Sequence, residues 1–231
     1  MDDTYARWKS WDAEAFGLWS FSDARYFGWH LERALPGRQA LEVLEVGFGN
    51  GRFLGWLQSR GHRVSGIEAN PLLVQRARDA GITAQERLDQ VGSGARFDLV
   101  AGFDVLEHVP VSELPGFLQQ LAALLRPGGR MLFRFPNAES PFGLRSQHGD
   151  ITHVSALGAS TMRQVCTAIG LQLEHSGDLL PWHAQPGSRR VGALFAHLSR
   201  LAFEWRMRKS YGLERGIDLA PNQTVVLRAA D

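Results

Sequence analysis

Residues 43–51 read Val43-Leu44-Glu45-Val46-Gly47-Phe48-Gly49-Asn50-Gly51, an apolar run that breaks into glycine at alternate positions. The run reads as a buried strand, and Arg52-Phe53-Leu54 opens a helix directly behind it. Between the two the backbone must turn sharply. Glycine accepts positive φ there and lets a ligand lie against the main chain where a Cβ would intrude. Glu45 places a carboxylate at the mouth of the turn, two residues before the first glycine. A carboxylate repels phosphate and holds a cationic amine, so the turn points to an amino-acid-bearing ligand. The dinucleotide pattern Gly-x-Gly-x-x-Gly needs its third glycine at position 52, which is arginine, and no Gly-Lys-Ser/Thr follows for a P-loop.

A second marker falls at the spacing this turn predicts. His62-Arg63-Val64-Ser65-Gly66-Ile67-Glu68 is a short strand ending in an acid, 17 residues past Gly51. In doubly wound sheets such an acid hydrogen-bonds ribose, its two oxygens matching a vicinal diol. Asn70-Pro71 then starts a helix, with proline suited to the first turn. Phe97-Asp98-Leu99-Val100-Ala101-Gly102-Phe103-Asp104-Val105-Leu106-Glu107-His108-Val109 reads as a further strand and helix. Leu114, Phe117, Leu118, Leu121, Leu124 and Leu125 recur at helical spacing before Pro127-Gly128-Gly129 and the strand after it.

Taken in order across residues 41–136, these segments resemble the class I S-adenosylmethionine-dependent methyltransferases. The resemblance implies an α/β fold, a Rossmann-like three-layer sandwich around a mixed seven-stranded sheet whose last strand is antiparallel. It implies S-adenosyl-L-methionine as cofactor, released as S-adenosyl-L-homocysteine. Glu45, Gly47, Phe48, Gly49, Asn50 and Gly51 then form the cofactor turn, joined by Glu68, Ala69, Phe103 and Asp104.

Composition agrees with an enzyme domain. A chain of 231 residues with 44% apolar content buries a large core unaided. With 25 Lys and Arg against 24 Asp and Glu, the net charge of +1 gives no overall field for nucleic acid. Cys166 is the only cysteine and sits at helical spacing with Met162, Val165 and Ile169, which reads as core. The start, Met-Asp-Asp-Thr, lacks an apolar signal region, and no apolar run approaches a membrane span, so the chain reads as cytoplasmic.

The whole chain, 1–231, reads as one domain in three parts. Residues 1–36 form an aromatic helical leader holding Trp8, Trp11, Phe16, Trp19, Phe21, Tyr26, Phe27 and Trp29; in the resembled family such a leader also covers the cofactor. Residues 37–136 are the cofactor-binding βα core. Residues 137–231 hold a substrate loop, a cap helix and the closing strands around 171–174 and 224–227. The loop 137–156 leaves the carboxyl end of the fifth strand, where open α/β sheets bind ligands. The cap helix, about 189 to 209, carries Arg189, Arg190, Arg200, Arg206, Arg208 and Lys209 against Glu204. It reads either as an amphipathic helix packed on the sheet or as a cap for phosphate or an anionic membrane surface.

Alignment of the acceptor with an activated methyl supplies much of the rate of such a transfer, so a base is optional. Where a hydroxyl must lose its proton, His153 is the first candidate base, with Asp150 to orient it, and His108 the second; either also reads as a structural histidine. Asp104, Glu107 and His108 at i, i+3 and i+4 share a helix face, and His153 could complete a metal site. The aspartate at the first position is short for that role, so no metal is assigned.

The outer motifs, Arg134-Phe135-Pro136-Asn137, Ser140-Pro141-Phe142-Gly143, Gly149-Asp150-Ile151-Thr152-His153 and Pro221-Asn222, are similar to those of bacterial methyltransferases associated with cell-surface polysaccharide. That resemblance implies O-methylation of a sugar or related hydroxylated acceptor, with a phosphate-linked carrier suiting the basic helix. The alternatives are a quinone-type or other small-molecule O-methyltransferase, an RNA methyltransferase, and a non-catalytic cofactor-binding protein.

Overall fold

The computed structural model describes residues 15–229 apart from 93, 186, 188, 215 and 216. Trp8 and Trp11 of the leader lie outside the described residues. Seven strands are formed among the described residues: β1 (Glu42–Val46), β2 (Arg63–Ile67), β3 (Thr83–Gln85), β4 (Phe97–Phe103), β5 (Leu125–Pro136), β6 (Leu171–Ser176) and β7 (Asn222–Ala229). They hydrogen-bond in the order β3-β2-β1-β4-β5-β7-β6. The pairs β1–β2, β1–β4, β2–β3 and β4–β5 are parallel, whereas β7 runs antiparallel to both of its neighbours, as the family resemblance implies.

Both faces of this sheet are covered, so the central strand β4 is buried over most of its length instead of alternating. Seven helices accompany it among the described residues: α1 (Phe21–Ala34), α2 (Arg52–Ser59), α3 (Pro71–Asp79), α4 (Leu114–Ala122), α5 (Leu144–His148), α6 (Ala159–Ala168) and α7 (Arg189–Tyr211). Successive strand residues point to opposite layers. Val43, Leu99 and Leu132 pack with Phe27 of α1 and Phe53 and Trp56 of α2. Leu44, Val100, Met131 and Phe133 pack with Leu118 of α4 and with Met162 and Cys166 of α6. Cys166 is therefore a core residue, and burial pushes its thiol up to about 11.

Local chemistry sets the helix starts. Ser20 caps α1 through a reciprocal pair with Asp23, and the Asn70 side chain accepts from the Leu72 N–H at 3.0 Å ahead of Pro71. Three expectations need correction. Leu124 and Leu125 lie beyond α4; Leu125 instead pairs with Phe97 in β5, and the strand crosses Pro127-Gly128-Gly129 with a register shift before Leu99. The three-residue β3 gave no sequence signal of its own. Asp104, Glu107 and His108 do not share a helix face, because Asp104 has φ +58 and only residues 106–108 form a single 3-10 turn.

One buried group gives the fold a pH limit. His30 is 1% exposed and neither ring nitrogen has a hydrogen-bond partner. Burial lowers its pKa from 6.5 to about 4, outweighing the Asp178 carboxylate at 4.0 Å, which raises it. The unfolded chain takes up this proton first, so the contribution is whole above about pH 6.5 and is lost as pH falls through about 4. Replacement by leucine, His30→Leu, removes up to roughly 3 kcal/mol of that acid sensitivity. Denaturant midpoints across the same window check this; an unchanged slope for the variant rejects it.

Candidate functional site

The glycine turn sits at the carboxyl end of β1 and is held by its own backbone. Gly47 N–H donates to the Ile67 carbonyl at 2.7 Å, and Gly51 N–H to that of Phe48 at 2.8 Å. All three glycines have positive φ. A Cβ on Gly47 would lie 2.5 Å from Cγ2 of Val105, and one on Gly51 would lie 2.6 Å from the Phe16 ring. Two of the glycines thus make room for protein rather than for ligand. Phe48 likewise turns its ring under Gly66 and into the layer with Leu54, Leu73 and Val74.

The leader is fastened over this turn. Gly17 N–H donates to the Asn50 carbonyl at 2.8 Å, and the Asn50 side-chain amide donates to the Ala15 carbonyl at 3.0 Å. Behind it, Ser22, Asp23, Tyr26 and Phe27 line a cavity of about 1070 Å³ together with the glycine turn. That volume accommodates a cofactor and an acceptor side by side.

Two buried acids face the cavity with different partners. Glu45 is 3% exposed; one carboxylate oxygen, Oε2, has no hydrogen-bond partner. Burial pushes its pKa well above the usual carboxylate range, against the Leu54 N–H that donates to it, and Glu68 pushes it higher. An orphaned, desolvated carboxylate bordering a glycine turn suits an ammonium group. Glu68 is 6% exposed but already engaged: its oxygens accept from Gly49 N–H and Asn70 N–H, each at 3.0 Å. Burial raises its pKa, and those backbone donors lower it without reversing the shift. Each oxygen keeps a second lone pair, so Glu68 can both clamp the turn and accept from a diol. On these two observations the pocket fits the cofactor that the sequence implies.

The tip of β4 holds a charge pair. Arg134 donates to Asp104, with Nε 3.2 Å from Oδ1 and Nη2 on Oδ2, and its guanidinium lies 5.7 Å from the ring centroids of both Tyr26 and Phe103. Burial opposes the Arg134 charge, yet Asp104 and then Tyr26 hold its pKa above the ordinary value. Tyr26 is itself pushed up, first by burial and then by Asp178, whose carboxylate its hydroxyl reaches. Asp104 therefore borders the cavity as half of an ion pair.

The histidines exchange places relative to expectation. His108 lines the cavity, whereas His153 does not; its side chain is 5% exposed and stands behind, with ring centroids 4.7 Å apart. His108 Nδ1 lies 3.2 Å from the Thr152 carbonyl and 3.1 Å from the Thr152 hydroxyl. His153 Nδ1 lies 3.1 Å from the Gln147 carbonyl, and Nε2 lies 3.8 Å from Glu107 and 3.7 Å from Asp150. Ligand atoms of Glu107, His108 and His153 all fall within 4.8 Å of one another. Asp104 takes no part in that trio.

Sequence reasoning missed the segment Glu86 to Asp89 as a cavity wall, and named Tyr26 and Arg134 only as members of the leader and of an outer motif. Arg134 had a signal, a charge inside the apolar run Met131–Phe135. The 86–89 segment had none, because β3 before it went unseen.

The family profile described as "Methyltransferase domain" matches residues 18–176. The ubiquinone biosynthesis O-methyltransferase of Methylobacterium nodulans is 32% identical over 113 residues, covering 46% of this chain and 44% of that protein. The chain thus matches less than half the length of this curated relative. A SAM-dependent methyltransferase from Archaeoglobus fulgidus superposes with a TM-score of 0.63 at 15% identity, over 98% of this chain and 99% of that one. The CcbJ methyltransferase from Streptomyces caelestis gives 0.62 at 14% identity, over 95% and 96%. No described helix is long and apolar enough to cross a membrane. A profile spanning most of the chain, together with a sheet that superposes on solved methyltransferases, settles the lineage: the chain belongs to the methyltransferase-domain family and has the Rossmann-like methyltransferase fold.

Proposed function

We propose that the chain O-methylates a small hydroxylated acceptor held between Tyr26, Phe103, Arg134 and His108. The observation that carries this is His108 on the cavity wall with Nδ1 against the Thr152 carbonyl. A carbonyl only accepts, so Nδ1 keeps the proton and Nε2 is the basic nitrogen of the neutral ring. When bound, S-adenosylmethionine supplies a methyl group made electrophilic by its sulfonium. In this reading Glu45 holds the ammonium, Glu68 accepts from ribose, and the leader over Asn50 keeps water from the pocket. His108 takes the acceptor's proton, and Thr152 keeps its ring in one orientation.

Phe103, Val105, Phe117 and Leu180 give the cavity apolar walls, which suit an aromatic ring better than a bare sugar. The partial match to ubiquinone-biosynthesis O-methyltransferases supports a phenolic acceptor of that kind. The sugar acceptor expected from the outer motifs has no such support. Purified protein, given labelled methyl donor and offered catechol-type phenols and sugar nucleotides in parallel, distinguishes them by product mass. Methylation of the sugars alone refutes the phenolic reading. His108→Ala is expected to lower kcat by about 10²–10⁴-fold with cofactor Kd unchanged; full turnover in the variant removes His108 as base.

One observation favours a metal-assisted second reading. His153 Nδ1 faces a carbonyl, so in the neutral ring the lone pair on Nε2 is directed between Glu107 and Asp150. A lone pair facing two carboxylates suits a divalent cation there. Glu107, His108 and His153 would supply the nitrogen–oxygen donor set that suits zinc or manganese. Such an ion supplies Lewis acidity toward the acceptor oxygen, and His108 then serves as ligand instead of base. Turnover that survives exhaustive chelation rejects this version; loss restored by one metal, with a matching thermal stabilisation, rejects the metal-free one.

A further inference from the structure

Helix α7 is long, well formed and nearly unsupported. None of its 23 residues is buried. Its half-buried positions, Ala193, Leu194, His197, Arg200, Glu204, Met207 and Arg208, fall on one side, and that side mixes polar with apolar residues. The apolar stripe faces outward instead: Val191, Phe195, Leu198, Leu201 and Trp205 are exposed, Phe195 by 68% and Trp205 by 62%. At 3.6 residues per turn these five share a single face. In a helix packed on a protein core such a stripe is buried; here it faces outward beside exposed charges.

Charge says what covers it. α7 holds six Lys and Arg against one Glu, within a chain of 25 and 24. The remainder is thus 19 basic and 23 acidic residues, and the positive charge is concentrated on this helix. Arg200 is engaged with Glu204 at 3.2 Å and Arg208 with the Ile217 carbonyl at 2.5 Å, whereas Arg206 and Lys209 lie exposed beside the stripe. A second copy would set this cationic face against itself. An anionic lipid surface supplies both things the face lacks, an apolar medium for the stripe and negative charge for its flanks.

We infer that α7 docks the protein on an anionic lipid bilayer, lying in the interface with Phe195, Leu198 and Trp205 buried among the acyl chains. The position suits delivery of an acceptor. Phe203 packs on Phe142 of the loop after β5, with ring centroids 5.8 Å apart. The segment before α7 is tied to the leader by Arg25, which donates to the Ala184 carbonyl at 3.1 Å. Leu180, just ahead of it, lines the cavity.

The test is co-sedimentation of the intact protein with phosphatidylcholine vesicles, with and without phosphatidylglycerol. Binding to the anionic vesicles alone, weakened by high salt, is expected. The double substitution Phe195→Glu and Trp205→Glu is expected to abolish it, and Arg206→Gln with Lys209→Gln to weaken it on the order of tenfold or more. Because these side chains are exposed, circular dichroism and the thermal response to S-adenosylhomocysteine should stay at wild-type values in both variants. No binding to either vesicle, or equal binding to both, overturns the inference. So does a dimer in sedimentation equilibrium that Phe195→Glu dissolves, since the face then belongs to a second copy. None of these readouts depends on which acceptor is methylated.

Discussion

Glu45→Gln is expected to stabilise the free protein and to weaken S-adenosylmethionine binding by about 100-fold or more, the effect of removing one partner of a buried ion pair. The two effects have one cause. Glu45 is buried with an unpartnered oxygen, and burial drives its pKa far up, so the ionised form is strained until a cation arrives. Glutamine still accepts from Leu54 N–H and carries no charge to desolvate, so the ligand-free fold gains. The bound ammonium then meets a neutral amide and loses its counter-charge. The same physics sets the pH dependence. A group whose pKa stands high in the free protein and is lowered by an ammonium gives up a proton on binding, so affinity rises with pH in the wild type and flattens in the variant. Calorimetry in buffers of different ionisation enthalpy reads the proton, and a melting curve reads the stability. Wild-type affinity in the variant would mean that the amine lies elsewhere.

Glu68→Ala is expected to do the opposite to stability while also impairing the cofactor. Here both oxygens hold backbone donors, Gly49 N–H and Asn70 N–H. Truncation leaves two buried N–H groups unsatisfied, at about 1–3 kcal/mol each before relaxation. A loss of about 2–4 kcal/mol corresponds to roughly 5–15 °C in melting temperature for a chain of this size. The glycine turn loses its clamp at the same time, so affinity falls through geometry as well as through the missing diol contact. Glu68→Gln separates the two, since its amide oxygen can satisfy one donor but not both; it should lie between wild type and alanine in stability. A melting temperature unchanged by Glu68→Ala would show that the turn does not depend on this residue.

The pair of acids also marks how far the sequence could be read. Their positions were legible, because an acid before a glycine turn and another ending the next strand are set by strand lengths and by one βα crossover. Their different partners were not legible, since those depend on where Gly49 and Asn70 point their N–H groups in three dimensions. The same division runs through the fold. Strands β1 and β4 and the later part of β5 are apolar runs with punctuated ends, and β2 is marked by its closing acid, so these were read directly, whereas Thr83–Gln85 is too short to show any period. The helix drawn from Asp104 to His108 failed because a positive φ at Asp104, steadied by Arg134, redirects the chain before the 3-10 turn. His108 and His153 were both named as candidates, but their order rested on sequence neighbours, and only the packing of residues 150–155 against 107–109 decides which ring reaches the cavity.

The seating of β7 between β5 and β6 has a consequence for biosynthesis. β6 touches the sheet solely through β7, the strand that follows it in the chain. While a ribosome is still delivering the residues before 222, β5 offers a bare edge and β6 has nothing to pair with. The sheet can zip shut on that side only when the last strand threads into the gap, so nascent chains stalled in α7 should be the ones that engage chaperones and aggregate.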